Sequence, residues 1–198
     1  MAKTSFIYQN IHYYRFVMSL LYKGNYYKRF KPVADQISGK RVTEICFGDI
    51  VIAEYCKSKS IEWTGIDIND TFVKNAQKQG LNAQKQDILD LNELPAADTC
   101  IICGSLYHFN NQLESLFVKM LACAPKIIIS EPINNLSTNK GIIGKLAKAS
   151  ANVNGKKHDF RFTQESLLLA LTELSNKLKF EFSVVGQLNK DIIIVIKK

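Results

Sequence analysis

The chain has 198 residues, of which 46% are hydrophobic and 22% are charged, and its formal net charge is +8. This composition is typical of a globular domain with one sizeable core, and no stretch approaches the ~20 uninterrupted apolar residues of a membrane span. Arg15 interrupts the most apolar part of the N-terminus, where no small-residue cleavage site is found, so we expect no signal peptide and a cytoplasmic protein. The positive charge allows an anionic substrate, nucleic acid or an anionic membrane surface as a partner.

The first part of the chain is predicted to be helical. Apolar residues recur at helical spacing from Phe6 to Leu21, and Gly24 is expected to end this helix. A second helix is expected from about Asn25 to Ile37, with a boundary at Pro32.

Strands and helices then alternate. RVTEICF is a predicted strand, residues 50–58 a helix, EWTGIDI a strand, NDTFVKNAQKQG a capped helix and LNAQKQD a weak strand. DTCIICGS and KIIISEP are predicted buried strands around the amphipathic helix NQLESLFVKMLACA. Thr163 is expected to cap the helix QESLLLALTELSNKL, and two strands joined by a short turn end the chain.

This alternation predicts an α/β protein with a mostly parallel, doubly wound sheet and helices on both faces. The last two strands are joined too tightly for a crossover connection, so they must form an antiparallel hairpin.

Five cysteines occur in the chain, and Cys100 and Cys103 form a CxxC pair. Residues three apart on a strand point to opposite faces, and no second Cys or Cys/His pair completes a metal site. We therefore expect buried thiols and no metal.

Three acidic residues, Glu44, Asp67 and Asp87, end three successive predicted strands. Ligands of open α/β sheets bind beyond the carboxyl ends of the strands, and Gly48 allows the backbone there to approach a ligand closely. A single glycine in the first loop argues against a pyrophosphate cradle. The three carboxylates suit a ligand with a cationic amine, a ribose and an adenine, but no phosphates.

The motifs VTEICFGD, GIDIND, QDILDL, DTCIICGSLYHF and IIISEP follow the order and spacing of class I S-adenosylmethionine-dependent methyltransferases, which the chain resembles over about residues 36–132. The resemblance implies a seven-stranded sheet and S-adenosyl-L-methionine as cofactor, with S-adenosyl-L-homocysteine as product. The family's first loop usually has three alternating glycines, and Cys46 and Ile50 replace two of them here. We interpret this as a variant loop, with Cys46 a mild substitution and Ile50 inside the following helix.

By analogy with the family, Glu44 to Gly48 would line the methionine part of the cofactor, Asp67 the ribose and Asp87 the adenine. The cofactor-binding residues expected on this basis are Glu44, Cys46, Phe47, Gly48, Asp67, Ile68, Asp87, Ile88 and Ser105. His108 is the candidate general base. The candidate substrate-binding residues are Tyr13, Tyr14, Tyr107, His108, Glu131, His158 and Arg161.

Four parts of a single domain are expected: an N-terminal helical cap (1–38), a cofactor-binding core (39–132), an insertion (133–163), and a last helix with the terminal hairpin (164–198). The cap holds six of the eight tyrosines. We expect the cap and the insertion to close over one crevice and form a pocket for a small-molecule acceptor, aromatic or anionic. The alternative is that the first helix only packs on an outer face of the sheet.

GSLYHF lacks the Asp/Asn-Pro-Pro-aromatic motif of methyltransferases that act on exocyclic amines of nucleic-acid bases. Methylation of RNA or protein stays open if the basic residues of the cap (between Lys23 and Arg41) and of the insertion (between Lys140 and Lys157) form one face. A non-catalytic Rossmann-like binding protein is the third hypothesis. The sequence leaves the acceptor, the methylated atom and the oligomeric state open.

Overall fold

The computed structural model describes residues 6–133 and 160–198, which form a seven-stranded sheet of order β3-β2-β1-β4-β5-β7-β6. Its strands are β1 (Arg41–Ile45), β2 (Glu62–Asp67), β3 (Asn82–Lys85), β4 (Thr99–Cys103), β5 (Lys126–Pro132), β6 (Glu181–Leu188) and β7 (Asp191–Lys197). The pairs from β3 through β5 are parallel, and β7 runs antiparallel to both β5 and β6. The predicted sheet and its terminal hairpin are confirmed.

The described helices are α1 (Ile11–Leu21), α2 (Lys31–Ala34), α3 (Val51–Ser58), α4 (Asp70–Lys78), α5 (Leu113–Cys123) and α6 (Gln164–Leu178). Short 3-10 helices span Phe6–Gln9, Tyr27–Phe30 and Leu106–Phe109. Thr163 caps α6 as predicted, in a capping box with Ser166. None of these helices combines the length and apolar character that a membrane crossing requires.

The N-terminal segment is less regular than the periodicity predicts. Asn10 is extended, and its side chain accepts hydrogen bonds from the backbone of His12 and Tyr13, so α1 begins at Ile11 rather than near Phe6. The second predicted helix reduces to a 3-10 helix followed by the four residues of α2. Pro32 lies in the first turn of α2 and not at a boundary, since a missing N–H costs little there.

Each face of the sheet buries its own apolar core. Ile102 and Cys100 pack with α5 and α6, whereas Ile101 and Cys103 pack with the N-terminal segment, α3 and α4. The two CxxC thiols therefore lie on opposite faces, as expected, and all five cysteines are unpaired. Residues 6–133 and 160–198 contain no group of three or more His, Cys, Asp or Glu side chains placed to hold a metal ion.

The cap contributes to the core of one face. Val17, Leu21, Tyr22, Tyr26 and Phe30 are all buried there. The first helix thus packs on an outer face of the sheet, which is the alternative given above. The same N-terminal segment also contacts loops at the carboxyl ends of the strands. Removing the segment would expose the core, so point substitutions are the cleaner test of its role.

Candidate active site

The loop between β1 and α3 has the backbone of a glycine-rich loop. Cys46 and Gly48 both adopt left-handed conformations, with φ of 53° and 60°. Cys46 also donates a backbone hydrogen bond of 2.7 Å to the carbonyl of Ile66 on β2. A side chain at positive φ is strained relative to glycine, so the Cys46 substitution is mild in size but not in conformation.

The residues after Gly48 are buried. Ile50 is the N-cap residue of α3 and is fully buried in the core, so it lies before the helix and not within it, because the helix begins at Val51. Asp49 is also fully buried, and Arg15 of α1 donates to both of its carboxylate oxygens at 2.7–3.2 Å. The cap is therefore tied to the first loop by an ion pair that the sequence analysis missed.

Asp67 joins the loops that follow β1 and β2. Its Oδ2 accepts a hydrogen bond of 3.1 Å from the amide of Gly48, and its Oδ1 accepts one of 2.7 Å from the amide of Asn69. Burial raises the pKa of Asp67 to about 6, against the effect of these backbone donors. The carboxylate and the glycine predicted to bind one ligand thus lie in direct contact.

Glu44 is fully buried in β1 beside the same loop. Its Oε2 accepts a hydrogen bond of 2.8 Å from the indole N–H of Trp63, whereas Oε1 has no hydrogen-bond partner among the described residues. Burial raises the pKa of Glu44 to about 8. A buried acceptor without a donor is costly, so this oxygen fits a ligand that brings an amino group.

The loop after β3 is held from α5. Asp87 accepts from the amide of Leu89, and Ile88 is buried in the core next to it. Lys119 donates to the carbonyl oxygens of Ile88 and Leu89 at 2.9 and 2.8 Å, which fixes the backbone of this loop. Lys119 gave no signal in the sequence beyond being a cation on an otherwise apolar stripe.

Glu131 holds the loop after β4. Its two carboxylate oxygens accept from the amides of Leu106 and Tyr107 at 3.0 and 3.2 Å, and burial raises its pKa to about 8. Both oxygens of Glu131 thus accept hydrogen bonds from the backbone of the loop that carries His108. Ser105, in the same loop, makes only a long contact of 3.5 Å with the carbonyl of Cys103.

Three candidate acceptor residues meet at Tyr107. The guanidinium carbon of Arg161 lies 3.5 Å from the centroid of the Tyr107 ring, and the His108 ring centroid lies 3.9 Å from it. Arg161 therefore returns to the carboxyl end of the sheet, as expected from its place after the insertion. His158 and the basic residues between Lys140 and Lys157 lie outside the described residues.

The cap covers the first two loops. The Tyr14 ring packs on Phe72 of α4 at 4.9 Å, and its hydroxyl would lie 3.3 Å from a Cβ placed on Gly48. The Tyr8 carbonyl accepts a hydrogen bond from the side chain of Asn69. Tyr13, by contrast, is 37% exposed, so these two adjacent tyrosines lie in different environments. Tyr8 is a contact that the sequence analysis did not single out.

Several known structures share this fold. No protein-family model matches the sequence, and no curated protein is significantly similar to it. The plantazolicin methyltransferase BpumL in complex with SAH superposes with a TM-score of 0.65 at 14% identity, over 96% of this chain and 93% of that one. The magnesium protoporphyrin IX methyltransferase ChlM from Synechocystis PCC 6803, with bound SAH, gives 0.66 at 14% identity, over 93% and 92%.

A SAM-dependent methyltransferase from Archaeoglobus fulgidus gives a TM-score of 0.63 at 17% identity, over 93% of this chain and 100% of that one. The chain therefore has the fold of class I S-adenosylmethionine-dependent methyltransferases, as its motifs predict.

Proposed function

We propose that the protein is an S-adenosyl-L-methionine-dependent methyltransferase that acts on a small-molecule acceptor. The observation that carries this proposal is the contact between the Asp67 carboxylate and the Gly48 amide, in a left-handed loop at the carboxyl ends of β1 and β2. Ligands of open α/β sheets bind at this edge. Two structures with the same fold were solved with SAH bound.

The residues present fit this cofactor. Oε1 of Glu44, which has no hydrogen-bond partner among the described residues, would accept from its amino group. Asp67 would accept from its ribose hydroxyls, and the Asp87–Ile88 loop would contact its adenine. When bound, S-adenosyl-L-methionine supplies an electrophilic methyl group and leaves as S-adenosyl-L-homocysteine. The proposal includes no metal.

The protein's own contribution is alignment and exclusion of water. Tyr8 and Tyr14 cover the first two loops with aromatic surface, and Glu131 fixes the loop that carries His108. Methyl transfer is an in-line displacement, so holding the acceptor atom in line and dry supplies much of the acceleration. For a hydroxyl acceptor, the His108 imidazole would take the proton as the oxygen lone pair forms its new bond to carbon.

The burial of aromatic residues beside the site supports a small-molecule acceptor over RNA. Tyr8 and Tyr107 are both buried, which suits an acceptor that enters a pocket rather than a strand that lies across a surface. Two of the proteins with this fold are named for plantazolicin and for magnesium protoporphyrin IX. Transfer of labelled methyl groups to a metabolite extract, and not to total RNA or protein, is the expected result.

Calorimetric titration with S-adenosyl-L-homocysteine tests the cofactor assignment. Asp67→Ala removes a charged acceptor and should weaken binding by about 1.5–3 kcal/mol. Asp35→Ala is the matched control, because Asp35 is an exposed carboxylate that pairs with Lys31. Unchanged affinity in a folded Asp67→Ala variant, or micromolar binding of NAD by the wild type, would contradict the proposal.

His108→Gln tests the base. We expect kcat to fall by about 10²–10⁴-fold at the pH of the assay, with the affinity for S-adenosyl-L-homocysteine unchanged. Full turnover by this variant would show that the acceptor needs no base at this position.

A further inference from the structure

The solvent-facing side of α1 is largely apolar. The exposed residues of this helix are His12, Tyr13, Phe16 and Leu20, so only one of them is a small polar or titratable surface residue of the usual kind. Phe16 is 60% exposed and Leu20 is 48% exposed. A surface helix normally presents charged and polar side chains on the side that faces away from the core. Packing within the chain therefore does not account for the exposed side of α1.

Tyr13, Phe16 and Leu20 form one stripe, which we call the α1 stripe. They are spaced by three and then four residues, so they are neighbours along a single face of the helix. The opposite face of α1 is buried through Val17 and Leu21. The helix thus has apolar side chains both towards the core and towards solvent.

Another exposed leucine shows how an ordinary surface position differs from this stripe. Leu169 of α6 is 62% exposed, but its neighbours one turn away on either side, Glu165 and Glu173, are exposed carboxylates. Single apolar residues of this kind are normal on a protein surface, whereas contiguous ones mark a binding surface. Leu169 is therefore an internal control for the α1 stripe.

The segment that carries the α1 stripe has no acidic residue of its own. Residues 1–34 contain no Asp or Glu. Lys23 follows the stripe three residues after Leu20, and Lys28 lies in the next 3-10 helix. Both lysines are exposed, and neither forms an ion pair with any residue that the structure describes. Apolar side chains accompanied by free lysines are complementary to a surface that is both apolar and anionic.

The size of the α1 stripe favours a lipid surface over a second protein. From their exposed fractions and the ~150–250 Å² of a large side chain, the three residues expose on the order of 300 Å² together. A stable protein–protein interface buries about 800 Å² on each partner. Helices with Phe and Leu on one side and nearby lysines are instead typical of proteins that lie on an anionic bilayer without crossing it.

We propose that α1 docks the protein on a membrane surface that contains anionic lipids. Phe16 and Leu20 enter the boundary between headgroups and acyl chains, Tyr13 lies at the level of the headgroups, and Lys23 and Lys28 contact lipid phosphates. The inference does not depend on the proposed function, because it concerns neither the cofactor nor the acceptor. The same helix carries the ion pair with the first loop, so docking acts on the element next to the candidate site.

Co-sedimentation of the full chain with lipid vesicles tests this docking. The vesicles contain phosphatidylcholine alone, or phosphatidylcholine and phosphatidylglycerol in equal amounts. We expect the wild type to bind the mixed vesicles more tightly and to dissociate from them as the salt concentration is raised. Phe16→Gln combined with Leu20→Gln should weaken this binding about tenfold or more. The temperature of unfolding should stay close to that of the wild type, because both side chains are exposed.

Control variants match both kinds of change. Leu169→Gln removes a similarly exposed leucine and should bind the vesicles as the wild type does. Lys23→Gln should weaken binding about fivefold, as for one cation near an anionic surface. Lys78→Gln, at the exposed end of α4, changes the net charge equally and should have the smaller effect.

Absence of vesicle binding by the wild type, or equal binding by the wild type and the Phe16→Gln/Leu20→Gln variant, would overturn the proposal. Two other occupants are then distinguished by parallel measurements on the same proteins. Dimerisation in light scattering that the double variant abolishes would assign the α1 stripe to a second copy of the chain. Binding of a single-stranded RNA oligonucleotide that the double variant weakens would assign it to nucleic acid.

Discussion

Arg15 and Asp49 form a bidentate ion pair that joins α1 to the first loop of the sheet, with a shortest distance of 2.7 Å. Asp49 is fully buried, whereas the Arg15 side chain is 28% exposed. Because Asp49 directly follows Gly48, the pair fixes the cap against the residues proposed to bind the cofactor. The cap is therefore expected to affect both stability and cofactor binding.

Arg15→Met should leave the Asp49 carboxylate buried without its partner and lower the free energy of unfolding by about 1–3 kcal/mol, below the 3–5 kcal/mol of a fully buried pair. Arg15→Met combined with Asp49→Asn should recover part of this loss, because no buried charge is then left. Urea unfolding measures both effects. Arg41→Met, which breaks the exposed pair with Asp98, is the control and should have the smaller effect. Equal losses in the two single variants would show that the Asp49 charge is not desolvated.

Gly48→Ala should weaken binding of S-adenosyl-L-homocysteine, because the added methyl group would lie 3.3 Å from the Tyr14 hydroxyl in the covered loop. Gly24→Ala is the matched control: Gly24 also has positive φ, at 78°, but has nothing within 4 Å of the added Cβ. Both variants should lose about 1 kcal/mol of stability through backbone strain. Calorimetry should show weaker binding for Gly48→Ala alone, and equal affinities would remove Tyr14 and Gly48 from the site.

Cys46→Gly and Cys46→Ala separate conformational strain from the loss of the thiol. Both remove the sulfur, but only glycine relieves the left-handed backbone at φ 53°. The Cys46→Gly variant should therefore be more stable than the Cys46→Ala variant by about 0.5–1.5 kcal/mol, after allowance for the greater entropy of glycine in the unfolded chain. Thermal and urea unfolding of the two variants provide the comparison. Alanine that equals or exceeds glycine would mean that the loop relaxes when it is substituted.

Glu44→Gln should reduce the loss of stability with rising pH. Burial raises the pKa of Glu44 from an ordinary value of 4.5 to about 8, so between these values the native state binds more protons than the unfolded state. Stability is then highest at low pH within this window and falls as pH rises through it. Glutamine does not ionise and can still accept the hydrogen bond from Trp63. Urea midpoints at pH 5 and pH 8 should differ less for the variant, and an unchanged difference would exclude Glu44 as a source of the dependence.

Much of the fold can be predicted from the sequence because its signals are local. The alternation of apolar strands and helices, the cap at Thr163 and the short final turn each depend on residues close together in the chain, and each is confirmed. The N-terminal segment was predicted less well, since Asn10 breaks a helix that the apolar periodicity alone would continue. Hydrogen bonding by a short polar side chain outweighed periodicity there.

The position of Asp67 beside Gly48 also follows from the predicted parallel sheet, because the carboxyl ends of adjacent parallel strands meet at one edge. Only the tertiary structure decided which charges are buried and what they contact. Arg15 forms an ion pair with Asp49, and Arg29 forms one with Asp191. Both carboxylate oxygens of Glu131 accept hydrogen bonds from the backbone of a loop. Residue type and spacing in the sequence do not distinguish a buried cation from an exposed one. Their difference arises from desolvation, which depends on how distant parts of the chain pack together.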